Sequence, residues 1–129
     1  MATSSNAVLR EANREVQAAD HILSVVYPLV RDPKVLLGAL EHERRAIESA
    51  TRTVPVTEDA AGALARITGV LDGHAAAHTV FTRGGRCVIA DCGFASLMEI
   101  DHASVERDLG VVKRFVHDAG KRVALGKVQ

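Results

Sequence analysis

Three histidines fall at spacings that would bring them onto one apolar seam. His74 and His78 continue the helical rhythm of the apolar stripe before them, and the stripe that includes Val105 reaches His102 when it is extended backward. Glu99 lies three residues before His102 and makes a Glu-x-x-His pattern. Two imidazoles at i and i+4, a third imidazole and a carboxylate can complete a metal shell. His74, His78, Glu99 and His102 are therefore a candidate set of metal ligands.

A metal ion is the less favoured interpretation of these residues. The favoured one is that His74 and His78 are partly buried and hydrogen-bond to backbone carbonyls or to the arm over 80–100, and a third is an anion or nucleotide site. A di-iron bundle would need a second Glu-x-x-His, and the sequence has none. We expect His74 or His78 to lie near His102 without a metal, and we predict no cofactor.

A second group of polar residues is predicted at the same end of the molecule. Tyr27 lies near the end of the first predicted helix, and Arg83 and Arg86 flank a Gly-Gly turn that would hold a phosphate against backbone amides. The simpler interpretation is a solvated hairpin tip, because the two glycines match no phosphate-loop motif. The candidate ligand-binding residues are Tyr27, His74, His78, Arg83, Arg86 and His102.

No catalytic residue is predicted. His42 has a glutamate on each side, but the second histidine of a metalloprotease helix is missing, because position 46 is Ala46. The surrounding charged residues predict a solvated face, formed by Glu41, Glu43, Arg44, Arg45 and Glu48. Cys87 and Cys92 are interpreted as buried hydrophobes or free thiols.

The composition favours one small globular domain. The chain has 129 residues, of which 47% are hydrophobic, so we predict a single domain over 1–129. It shows neither an apolar run long enough for a membrane span nor a basic segment leading into an apolar one, and we expect a cytoplasmic protein without a membrane partner. The charges of the 16 Lys or Arg and the 16 Asp or Glu side chains cancel, so the formal net charge is zero. Residues 107–129, however, carry six Lys or Arg against two Asp, which is compatible with an acidic partner.

Breaks in the hydrophobic periodicity predict four helices. The first covers about 6–30, with Pro28 near its end, and Asp32 caps a second that reaches about residue 51. Thr57 caps a third that continues to about His78, and Asp101 caps the last, over about 102–123. Residues 79–90 predict a hairpin and 91–100 a loop. The predicted class is all-α: an antiparallel up-down four-helix bundle with a short extended arm or β-hairpin between helices 3 and 4.

Two stretches resemble a known class of proteins. The run from His21 to His42, and the pattern Phe81-Thr-Arg-Gly-Gly-Arg-Cys-Val-Ile89 before a basic amphipathic helix, are similar to small, uncharacterised archaeal helical bundles of the HEPN-like type. The resemblance covers about residues 15–125. It implies an antiparallel bundle, frequent dimerisation, and roles as RNA-cleaving toxins or as partners of nucleotidyltransferases.

The catalytic branch of that class has a pattern that this chain lacks near its last helix. Those nucleases resemble one another in an Arg-x4–6-His motif. Here Arg107 and His117 are too far apart, and Arg114 and His117 are too close. Arg14 and His21 have the spacing but lie in the first predicted helix, so the role does not transfer.

These observations favour a non-enzymatic HEPN-like interaction or adaptor module. We expect a homodimer, a protein partner such as a nucleotidyltransferase, and at most weak RNA binding. One alternative is an RNA-directed nuclease or nucleotidyltransferase partner of the toxin–antitoxin type. The other is a metal-binding bundle that uses the seam histidines.

Overall fold

Helices form most of the chain that the structure describes. A computed structural model describes residues 4–77, 79–91 and 97–126. The four long helices are α1 (Ser5–His21), α3 (Leu36–Ala50), α4 (Glu58–Ala75) and α5 (His102–Ala124). Between α1 and α3 lie a π-helical segment (Ile22–Val26), the short helix α2 (Tyr27–Val30) and a 3-10 turn (Pro33–Val35). Between α4 and α5 lie the strands β1 (Thr79–Arg83), β2 (Arg86–Ala90) and β3 (Leu97–Ile100).

The helices begin at the residues whose side chains were expected to cap them. Asp32, Thr57 and Asp101 each accept a hydrogen bond from a backbone amide two or three residues later, at 3.0, 3.2 and 2.9 Å. At Asp101 the hydroxyl of Ser104 also accepts from the Asp101 amide, which completes a capping box. The Ser104 amide holds the pKa of the Asp101 carboxyl below its usual value. The predicted N-caps Thr57 and Asp101 are therefore confirmed for α4 and α5, whereas Asp32 caps the 3-10 turn that leads into α3.

Helices α3 and α5 both run antiparallel to α1, and therefore parallel to each other, and α4 runs antiparallel to α5. Asp20 contacts Lys113 and Leu23 contacts His102, so residue numbers fall along α5 as they rise along α1. The same reversal holds between α1 and α3 and between α4 and α5. Helix α3 packs against the other three, and one hydrophobic cluster joins all four to the strands. None of the described helices is long and apolar enough to span a membrane.

The predicted all-α class is wrong, because the chain between α4 and α5 forms a three-stranded antiparallel sheet in the order β1-β2-β3. The hairpin of β1 and β2 lies where it was expected. Its turn residues, Gly84 and Gly85, both have positive φ (59° and 75°), as a tight hairpin turn requires. The central strand β2 is buried over its last four residues, which makes the sheet part of the core.

The boundaries before α5 also differ from the prediction. Residues 91–100 were expected to be a loop, but Leu97–Ile100 pair with β2, with Ile100 opposite Cys87. This strand is stabilised by hydrogen bonds to β2 rather than by a local pattern, so periodicity alone did not indicate it. The third predicted helix passes through Asp72-Gly73 and ends at Ala75, three residues before His78. His78 and Cys92 lie outside the described residues.

Candidate functional site

Tyr27 and His102, two of the predicted ligand-binding residues, meet where α2 lies beside the start of α5. Their rings stack with centroids 4.9 Å apart and planes 29° apart. Nε2 of His102 lies 2.9 Å from the carbonyl oxygen of Leu23, and a carbonyl only accepts, so Nε2 donates. The expectation of a partly buried histidine was made for His74 and His78, and it is wrong for His74, which is exposed. The bond to a backbone carbonyl is made by His102 instead. Its Nε2 carries a proton in that bond and is not available to ligate a metal.

The position of Pro28 explains why His102 is needed at this junction. In the π-helical segment an amide donates to the carbonyl five residues earlier, as Tyr27 does to Ile22. The same pattern would pair the Leu23 carbonyl with the amide of residue 28, but proline has no amide hydrogen. His102 supplies the missing donor from α5. The contact therefore ties the end of the first helix to the start of the last one.

The remaining members of the candidate metal set do not form a site in the described residues. His74 lies exposed on the last turn of α4, and His78 is not described. Glu99 lies on β3 and His102 on α5, so the Glu-x-x-His pattern spans the end of a strand and the start of a helix. Within residues 4–77, 79–91 and 97–126, no group of three or more His, Cys, Asp or Glu side chains is arranged to hold a metal ion.

The two arginines beside the Gly-Gly turn bind a carboxylate of the same chain. Nη2 of Arg83 lies 3.0 Å from Oε1 of Glu99, and Nη1 of Arg86 lies 3.4 Å from Oε2. Glu99 is therefore engaged by two guanidinium groups, which link β1 and β2 to β3. A phosphate at the turn would have to compete with this carboxylate. Both arginines are exposed, so the pairs contribute little to stability.

Sequence reasoning missed the most unusual side chain of the molecule, Glu43. It was placed on a solvated face, but it is 0% exposed on the central helix α3. Neither carboxyl oxygen has a hydrogen-bond partner among the described residues. Burial, with a smaller contribution from the charge of Asp108, raises the pKa of Glu43 to about 9. Glu43 is therefore protonated at neutral pH.

A signal for this burial was present in the spacing. Position 43 continues the same 4-3-4-3 stripe as the buried apolar residues of α3, which are Leu36, Leu40, Ile47 and Ala50. The residue type suggested a solvated position, whereas the periodicity indicated the core.

Asp108, whose charge acts on Glu43, lines a cleft of about 360 Å³ between α4, β3 and the first half of α5. Arg66 donates to Oδ1 of Asp108 through Nε at 3.3 Å and Nη2 at 2.9 Å. Most of the wall is apolar, formed by Leu40, Ile67, Val70, Met98, Ile100 and Val105. The cleft thus combines an apolar wall with one ion pair that is already satisfied.

Comparison with known proteins finds no matching family, no matching curated protein and no matching solved structure. The resemblance to HEPN-like proteins therefore stays a prediction, and the function has to be inferred from the chain itself.

Proposed function

We propose that this protein is a non-enzymatic interaction module that acts as a homodimer. The observation that carries the proposal is an apolar ridge, formed by Val25, Leu29 and Val30 on the last turns of the first helix. Their exposed fractions are 44%, 79% and 54%. Single exposed apolar residues are ordinary, but neighbouring ones mark surfaces that bind another protein.

The ridge is exposed because the first helix extends past its neighbour. Helix α5 begins at His102, which contacts the carbonyl of Leu23 and the ring of Tyr27. Beyond Tyr27, α5 is no longer alongside, and α2 continues for three more residues to Val30. The chain then leaves the helix at Arg31, which has a positive φ of 53°. Leu29 and Val30 therefore lie on a protruding end.

A twofold pairing would bury this ridge against its own copy. In such a dimer the same surface patch serves both subunits, so the ridge of one subunit would lie against the ridge of the other. The nucleotidyltransferase partner and the weak RNA binding that the resemblance implies stay predictions beside it.

Analytical ultracentrifugation at micromolar concentrations tests the proposal. We expect the natural chain to sediment as a dimer and Leu29→Asp to sediment as a monomer with unchanged circular dichroism. Val56→Asp is the matched control, because Val56 is also an exposed apolar residue (42%) but lies in the connector between α3 and α4. A monomeric natural chain, or equal effects of the two substitutions, would contradict the proposal.

A further inference from the structure

A groove runs between the middle of α1 and the second half of α5, and no residue of the apolar ridge lines it. It has a volume of about 410 Å³, and its lining includes Asn13 and Val16 from α1 and Val116 and Gly120 from α5. Its α5 wall includes two small residues, Gly120 and Ala124, which leave room in the groove. A Cβ atom added at Gly120 would meet no heavy atom within 4 Å.

One wall of the groove carries a row of basic side chains. Lys113, His117 and Lys121 line it at four-residue intervals, which places them about 6 Å apart along the helix axis. All three are exposed. Lys113 pairs with Asp20 at 3.1 Å, whereas Lys121 makes no ion pair with any described residue.

Two further basic side chains lie on the exposed surface of α1. Arg10 and Arg14 lie within one helical turn of Asn13, and both are exposed. Neither forms an ion pair within the described part of the chain. The α1 residues that line the groove, Asn13 and Val16, are uncharged, so the positive charge of the groove comes from its α5 wall.

We propose that this groove binds an acidic amphipathic helix of a partner protein, an inference that rests on the proposed interaction function. The floor contributed by Val16 and Val116 suits a narrow apolar stripe. Carboxylates spaced at i and i+4 on such a helix match the spacing of Lys113, His117 and Lys121. Charge complementarity of this kind speeds association and selects the partner.

A nucleic acid is a poorer match for the same groove. Proteins that bind single strands stack bases on exposed aromatic rings. The described aromatic residues, Tyr27, Phe81 and Phe115, are half-buried or buried, and none of them lines the groove. The groove thus offers cations and an aliphatic floor, which suit a helix with acidic flanks.

Fluorescence polarisation with a designed peptide tests this inference. The probe is a labelled, four-turn helix with one leucine stripe flanked by glutamates, and its comparison peptide has lysines in place of the glutamates. We expect the acidic peptide alone to bind. Gly120→Leu, which fills the groove, and Lys121→Glu, which reverses its charge, should each weaken binding at least about tenfold.

Two controls separate the groove from general effects of the substitutions. Gly69→Leu also adds a side chain where a Cβ meets nothing within 4 Å, but on α4. Lys34→Glu reverses an exposed charge in the 3-10 turn before α3, away from the residues that line the groove. The affinity of each control variant for the acidic peptide should be within about twofold of the affinity of the natural chain. Circular dichroism of Gly120→Leu should be unchanged, because leucine favours a helix more than glycine does.

The outcome is distinguishable from failure of the dimer. Leu29→Asp should abolish dimerisation and leave peptide binding intact. Gly120→Leu should weaken peptide binding and leave dimerisation intact. Equal binding of the acidic and basic peptides, or no binding of the acidic peptide, would overturn the inference. The inference would also be overturned if an RNA duplex displaced the acidic peptide and bound the natural chain more tightly than the peptide does.

Discussion

At the scale of single residues, Glu43 places a titratable group in the core with no hydrogen-bond partner among the described residues. Its pKa is about 9 in the folded protein against an ordinary value of 4.5. Between those pH values the folded chain binds a proton that the unfolded chain does not. Stability therefore falls as pH rises through this window, by up to about 1.4 kcal/mol per pH unit.

Replacing this carboxyl should stabilise the protein. Glu43→Met removes a buried group without a partner, so we expect the free energy of unfolding at pH 7 to rise by about 1–3 kcal/mol. The difference from the natural chain should widen as the pH is raised toward 9 and shrink as it is lowered toward 4.5. Urea denaturation at a series of pH values measures both effects.

The control for Glu43 is an exposed glutamate on the same helix. Glu48→Met should change the free energy of unfolding by no more than about 0.5 kcal/mol at any of these pH values. A gain in Glu43→Met that does not depend on pH would contradict the buried, protonated state that we infer.

At the scale of elements, the junction of α2 with α5 depends on a backbone carbonyl that Pro28 leaves without a donor. His102→Ala removes the side chain that bonds to this Leu23 carbonyl, and should lower the free energy of unfolding by about 1–3 kcal/mol. In a Pro28→Ala background, residue 28 regains an amide that can donate in its place. In that background, His102→Ala should lower the free energy of unfolding by less. We expect a coupling energy between positions 28 and 102 of at least about 0.5 kcal/mol.

A double-mutant cycle measured by chemical denaturation provides this coupling energy. His74→Ala serves as the control, because His74 is an exposed histidine on α4 and should have little effect in either background. Equal costs of His102→Ala with and without Pro28 would mean that the bond does not compensate for proline.

At the scale of the whole molecule, the sheet and the helices share one hydrophobic cluster. Cys87, Ile89 and Ile100 of the strands belong to the same buried set as the core residues of the helices. Elements that share a core in a small domain unfold together. The sheet should therefore not separate from the bundle as an independent unit.

Thiol labelling in urea tests this cooperativity. Cys87 is buried in β2, and burial raises the pKa of its thiol, so it should react only when the sheet opens. In a Cys92→Ser variant, which leaves Cys87 as the only thiol, we expect the labelling midpoint to coincide with the midpoint of helical circular dichroism. Labelling of Cys87 at urea concentrations where the helices remain folded would show that the sheet opens on its own.

The sequence by itself determined the features that depend on neighbouring residues. Asp32, Thr57 and Asp101 cap helices through amides two or three residues away, and Gly84-Gly85 marks the hairpin turn through its positive φ, so local patterns predict them. Tertiary structure decided the rest. Strand β3 exists because β2 lies beside it. The spacing puts position 43 on the buried stripe of α3, but only the packing of three helices around α3 determines that a glutamate is buried there. The Leu23–His102 contact joins residues 79 positions apart, and no local spacing encodes such a pairing because it depends on how the helices pack.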